Sequence, residues 1–289
     1  MKRSKKRGSK NPDVKRLSLI ANTLRQDIVG MLLEAKSGHS GGPLGLADIF
    51  SCLYFKVLSH KSNDAHWENR DRVILSNGHV CPVLYASLAR SGYFRVDELK
   101  TLRRIGSRLQ GHPHRESLPG VENTSGPVGQ GLSQACGVAL GARFDKKKYF
   151  VYCITSDGEH NEGQTWEAVL FASKYKLSNL INIVDRNNIQ IDGFSDDVMP
   201  LLSLEEKYRA FGWRVLSING NNIKQIISIL SKAKQNKGKP TVIVAHTIPG
   251  KGISFMENRF EWHGKTPNKE QAEIAIKQLQ EQRTKIEGT

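Results

Sequence analysis

Tyr149-Phe150-Val151-Tyr152-Cys153-Ile154-Thr155 runs straight into Ser156-Asp157-Gly158-Glu159, and Leu180-Ile181-Asn182-Ile183-Val184 runs into Asp185-Arg186-Asn187-Asn188. Each is an apolar, β-rich run too short for a helix, closed by turn-forming residues with oxygen-bearing side chains. Gln164–Tyr175 between them has helical spacing, and Trp213–Ile218 and Thr241–Ala245 are two further strand-like runs bracketing a helical stretch at Ile223–Ala233. Four strands alternating with helical crossovers predict an α/β fold with a parallel sheet and helices on both faces. Right-handed crossovers bring the carboxyl ends of successive strands to one edge, and strands that pair there lie only ~4.8 Å apart. One ion can then touch both Asp157 and Asn187.

The ligands on offer are a carboxylate, an amide oxygen and nearby backbone carbonyls, which suits a hard cation such as Mg²⁺ or Ca²⁺ rather than zinc. Gly158 lets the backbone come close to a phosphate, and ligands of open α/β sheets gather at this edge. Taken singly, Asp-Gly and Asn-Asn are ordinary turn formers.

Toward the N-terminus, Leu17, Ile20, Leu24, Ile28, Met31 and Ala35 recur at steps of three and four, one face of a helix that starts at Asp13 and ends near Gly38. A second helix is expected over Leu46–Leu58, and Val73-Ile74-Leu75 leads into a third beginning near His79. A polar helical stretch over Asn268–Arg283 follows the last strand. No internal repeat or central linker interrupts this order, so residues 14–289 read as a single domain and 1–13 as a basic, disordered tail.

The net charge of +15 is concentrated at that tail: residues 1–16 carry +7, leaving +8 for the rest. Lys2-Arg3-Ser4-Lys5-Lys6-Arg7 has no interleaved aromatics to stack on bases, so it reads as solvated chain and not a nucleic-acid arm. No apolar run reaches the ~20 residues of a membrane helix and no signal-peptide core follows the basic start, which points to the cytoplasm. Cys52, Cys81, Cys136 and Cys153 lie apart in apolar surroundings and read as reduced core thiols.

Asp157-Gly158 and Asn187-Asn188, with 30 positions between Asp157 and Asn187, resemble the thiamine diphosphate motif, a Gly-Asp-Gly followed by Asn-Asn. Ser156 stands in place of the first glycine, and its small size predicts only a modest backbone adjustment. Ser37–Gly45, Asp71–His79, Gln110–Pro113, Gly126–Gly131, Glu162–Ala168 and Trp262–Gly264 are similar to segments of the N-terminal half of transketolase, in the same order across residues 14–280.

That resemblance implies the diphosphate-binding domain of the thiamine diphosphate fold. It implies Mg²⁺, with Ca²⁺ or Mn²⁺ as substitutes, held by the side chains of Asp157 and Asn187 and the carbonyl of Ile189. His79, Gly126, Pro127, Val128, Gly158, Glu159, Asn187 and His263 would contact the cofactor, and His39, His79, His112 and His263 match the family's active-site histidines. Imidazole suits such work, because sugar hydroxyls must gain and lose protons near neutral pH. Asn77 stands where many relatives carry lysine.

The activity implied is transfer of a two-carbon ketol unit from a ketose phosphate to an aldose phosphate, as in the pentose phosphate pathway. The glutamate that activates the cofactor belongs to the family's next domain, so the resemblance implies a separate C-terminal transketolase subunit carrying the pyrimidine domain, in an α2β2 heterotetramer. Two alternatives stay open: half of a related enzyme, acting like deoxyxylulose phosphate synthase or on an alternative sugar, and a non-catalytic regulatory or nucleic-acid-binding relative.

Overall fold

The computed structural model describes residues 12–288. Helix α1 (Pro12–Ala35) opens on a proline, whose missing N–H costs nothing in a first helical turn. Its buried stripe holds Leu17, Leu24, Ile28 and Met31, the periodicity legible in the sequence. The tail expected over 1–13 thus yields its last two residues to the helix, and residues 1–11 lie outside the described residues.

Helix α2 (Gly41–Cys52) is buried along its whole length and continues as a π-helical turn, Leu53–Val57. It begins five residues before the expected Leu46, because Gly41-Gly42-Pro43-Leu44-Gly45 looks like loop but is helix pressed against neighbours. A Cβ at Gly42 would stand 2.8 Å from Val80 Cγ1, and one at Gly45 2.9 Å from the Ile248 carbonyl. The glycines are therefore the condition for close packing, at some cost in helix propensity.

Strand β1 (Arg72–Leu75) is followed by a 3-10 turn, Gly78–Val80, and α3 (Cys81–Arg90). After a long loop come α4 (Gly131–Phe144), β2 (Val151–Ser156), α5 (Gly163–Lys174) and β3 (Leu180–Arg186). The chain continues with α6 (Ser195–Val198), α7 (Leu204–Ala210), β4 (Arg214–Asn219), α8 (Ile223–Lys234), β5 (Thr241–His246) and α9 (Lys269–Glu287). Val73-Ile74-Leu75, read as a lead-in, is the core of a fifth strand.

All five strands are parallel, in the order β1-β2-β3-β5-β4. The chain steps outward from β1 to β3, skips a place to β4, and returns to insert β5. A right-handed crossover that travels backward must lie on the opposite face. Accordingly α8 packs with α1, α2, α3 and α9 on one side through Ile226 and Leu230, while α4, α5 and α7 cover the other through Leu132, Val169 and Tyr208. With both faces covered, β2 is buried at every position, which explains its unbroken apolar run. All four cysteines are buried and unpaired. Among the described residues no helix is long and apolar enough to cross a membrane.

Candidate functional site at the carboxyl edge of the sheet

Strands β2 and β3 are neighbours, with Ser156 in register with Asp185. Asp157 and Asn187 therefore leave the sheet side by side, as their positions after the two strands predict. Asp157 is fully buried. Its Oδ1 accepts from the Gly158 N–H at 2.8 Å, and its Oδ2 accepts from the Asn188 N–H at 2.7 Å and Arg186 Nη1 at 2.8 Å. Asn188 holds φ 58°, a left-handed turn that asparagine tolerates, and this aims its N–H back across the strands.

Asn187 donates through Nδ2 to Asp185 Oδ2 at 2.8 Å, which fixes the amide and assigns Oδ1 as the free-standing oxygen. That oxygen accepts only from the Ile189 N–H, at 3.0 Å. Asp185 also accepts from Thr247 Oγ1 and is fully buried; burial pushes its carboxyl up to about 7, aided by the nearby Asp157. Burial likewise raises Asp157, against the pull of Arg186. Two carboxyls this close and this buried create a demand for positive charge.

Ser156 fills its glycine-like position by acting as a cap. Its N–H donates to Glu159 Oε2 at 2.8 Å, and its hydroxyl accepts from the Glu159 N–H at 3.3 Å. Glu159 in turn receives the Ser76 hydroxyl and the Gly129 N–H, the latter at 2.7 Å. One buried carboxylate so fastens the ends of β1 and β2 to the Gly126–Gly129 loop. His160, a residue with no assigned role, donates from Nδ1 to the Ser156 carbonyl at 2.9 Å and accepts at Nε2 from Tyr208 Oη at 2.8 Å; burial holds it at about 4.

The four histidines singled out in the sequence converge from four separate loops. The rings of His39 and His79 are 5.0 Å apart, those of His39 and His263 5.6 Å, His79 and His263 5.2 Å, and His39 and His112 6.5 Å. Burial, reinforced by their mutual repulsion, drives His39 down to about 4 and His79 well below its ordinary value. Burial also lowers His112 and His263. The cluster is neutral at physiological pH, each ring keeping one donor and one acceptor nitrogen.

The histidines and the β2–β3 loops form one continuous site. A Cβ at Gly41 would meet Ile189 Cδ1 at 3.1 Å and the Trp262 carbonyl, next to His263, at 3.3 Å, so the two loops pack against the start of α2. A Cβ at Gly78 would sit 2.5 Å from Ser125 Oγ, and one at Gly126 4.0 Å from His112. His39 Nδ1, Ser125 Oγ and both polar atoms of the Asn77 amide are buried with no hydrogen-bond partner among the described residues. His246 lies apart, exposed, beside Ser217 and Glu205. Arg186, Asp185, Ser76 and Ser125 receive no role from the sequence, and only Asp185, an acid closing an apolar strand, carries a signal there.

An open parallel sheet whose carboxyl edge joins an oxygen donor set to a neutral imidazole cluster defines a cofactor-binding α/β domain. Residues 17–283 match the family model described as transketolase, thiamine diphosphate binding domain. The chain is 40% identical over 262 residues to a 6-deoxy-6-sulfo-D-fructose transketolase subunit of Clostridium sp. strain MSTE9, covering 91% of this chain and 95% of that one. It is 40% identical over 265 residues to an apulose-4-phosphate transketolase subunit of Actinobacillus succinogenes, with 91% and 95% covered. A crystal structure of transketolase from Campylobacter jejuni superposes with a TM-score of 0.87 at 36% identity, over 96% of this chain and 43% of that one. The chain thus belongs to the transketolase family of enzymes, in its thiamine diphosphate-binding domain, and spans less than half the length of full-length relatives such as that from Campylobacter jejuni.

The residues present fit that cofactor. Unpartnered buried polar atoms at His39, Asn77 and Ser125 lie toward the histidines, and the oxygen donors lie at the ends of β2 and β3. Among the described residues no three His, Cys, Asp or Glu side chains cluster to hold a metal.

Proposed function

We propose that this chain is the N-terminal subunit of a split transketolase, which transfers a two-carbon ketol unit between phosphorylated sugars and acts only with a partner that carries the pyrimidine domain. The convergence of the four histidines beside the Asp157–Asn187 edge carries this reading. Asp157, Asn187 and the Ile189 carbonyl would hold Mg²⁺, with Ca²⁺ or Mn²⁺ able to replace it, and Gly158, Gly126, Pro127 and Val128 would line the cofactor. Glu159 contributes by fastening those loops.

Thiamine diphosphate, when bound, supplies the carbanion chemistry. What this chain adds is orientation and proton handling. His39, His79, His112 and His263, held neutral by burial, present nitrogens that accept protons from sugar hydroxyls or donate to them. A site enclosed between this edge and its partner keeps water away from the reacting carbons. A heterotetramer with two copies of each polypeptide is the assembly that completes two such sites.

The substrate reading is narrowed by the relatives that match over nearly their full length. Their names specify 6-deoxy-6-sulfo-D-fructose and apulose-4-phosphate, which favours an alternative sugar as the donor here. The test is reconstitution of the chain with the pyrimidine-domain partner, thiamine diphosphate and Mg²⁺, assayed against a panel of ketose phosphates and ketose sulfonates. Ketol transfer that needs both polypeptides is the expected result; turnover by this chain alone, or none by the pair with any donor, overturns the reading.

A further inference from the structure

Arg103 holds φ 58°, a left-handed conformation that a bulky residue keeps only where its surroundings enforce it. Its N–H donates to the Leu109 carbonyl at 2.9 Å, closing the loop. The guanidinium then spans two other segments, with Nη1 donating to Ser37 Oγ at 3.0 Å and Nη2 to the Gly111 carbonyl at 3.3 Å. Ser37 lies two residues before His39, and Gly111 immediately precedes His112. A Cβ at Gly111 would fall 2.7 Å from Cζ and Nε of Arg103, so any larger residue there would have to displace the guanidinium from this position.

Both acceptors are uncharged. Arg90, Arg95 and Arg108 all make paired bonds to carboxylates, whereas among the described residues no carboxylate pairs with Arg103, which lies beside imidazoles. A planar, two-legged donor sets a distance between its acceptors in a way a point charge cannot.

We propose that Arg103 is a positioning residue for the sugar-facing histidines, strapping the loop of His39 to the loop of His112 and fixing the 6.5 Å between their rings. Its consequence for catalysis rests on the transketolase reading above; its effect on the histidines does not. His39 faces His79, His112 and His263 as well as Arg103, and His112 faces His39 and Arg103. The guanidinium disfavours protonation of both rings, so it also keeps an acceptor nitrogen ready for a hydroxyl proton.

The experiment compares Arg103→Gln, Arg103→Lys and Ser37→Ala with the wild type, by histidine C2–H titration of the full chain and by kcat/KM against pH in the reconstituted pair. Arg103→Gln should raise the apparent pKa of His39 and His112 by on the order of one unit. In the pair, kcat/KM should fall about tenfold and its acid limb should move to higher pH. Arg103→Lys should restore the acid limb but not the rate, since it keeps the charge and loses the two-legged bond, and Ser37→Ala should lower the rate with the limb in place. Urea midpoints close to wild type separate this from general unfolding. Titrations of His39 and His112 unchanged in Arg103→Gln, or a lysine variant that restores nothing, overturn the proposal. A wild-type pair without turnover would refute the transketolase reading while leaving the titrations to judge Arg103.

Discussion

Arg186 donates to Asp157 Oδ2 at 2.8 Å while its other nitrogen reaches Asp196 at 2.6 Å, so the carboxylate that heads the proposed metal set already carries a cation on one side. A divalent ion at the proposed site would share that carboxylate with the guanidinium. Replacing Arg186 with Ser removes that repulsion and should tighten Mg²⁺ binding by about tenfold while lowering the melting temperature of the metal-free chain. Calorimetric titration with Mg²⁺ and a thermal melt check the two together, and weaker Mg²⁺ binding in the variant contradicts the account.

Asp157→Ala takes away the carboxylate itself. Thiamine diphosphate affinity should then lose its dependence on Mg²⁺, a fall of roughly a hundredfold or more at saturating metal. Unchanged cofactor affinity by calorimetry removes Asp157 from the metal set.

Glu159 accepts from Ser76, Gly129 and Ser156 with both oxygens. In Glu159→Gln one acceptor becomes a donor that faces donors, and the buried groups left unmatched should cost about 1–3 kcal/mol. Urea denaturation measures this; a variant as stable as wild type means the three loops are held by something else.

The pH dependence of stability follows from the cluster. The pKa of His39 is about 4 in the folded chain and near 6.5 when unfolded, so on acidification the unfolded chain takes up its proton first. The contribution is present above about pH 6.5 and is lost as the pH falls toward about 4. His39→Asn should therefore flatten the plot of unfolding free energy against pH in that window relative to wild type. Parallel curves would show that His39 titrates normally.

Deletion of residues 1–11, the basic segment ahead of α1, should leave turnover of the reconstituted pair within about twofold, the outcome expected of a charge run whose composition holds no apolar partners. A large loss would restore the nucleic-acid or regulatory role that its charge otherwise suggests.

The strands β2 to β5 and the long helices were legible because burial imposes a pattern: unbroken apolar runs in β2 and β3, and a stripe from Leu17 to Met31 in α1. Strand β1 was too short to stand out beside the glycines that follow it. Helix α4 was hidden by Gly131, Gly137 and Gly141, whose low helix propensity is outweighed by tertiary packing of Leu132, Ala135 and Ala139. The order of β5 before β4 has no local signal at all. At the site, Asp157, Asn187 and the four histidines were readable as residue types in turn-rich segments, whereas Arg103 and Arg186 read as ordinary loop charges. Their importance lies in which oxygen each one reaches, which only the folded chain decides.

The register of Ser156 opposite Asp185 has a further consequence. Side chains alternate along a strand, so a slip of β3 by one residue would carry Asp185 to the other face of the sheet, away from Thr247. A misregistered sheet could bury nearly as much apolar surface, since both faces are covered, but it could not assemble the oxygen set. If the proposed oxygen set holds the cofactor, capture would work as a quality check on folding: a copy that holds thiamine diphosphate would have paired its central strands correctly, and cofactor binding would give a direct assay of that pairing.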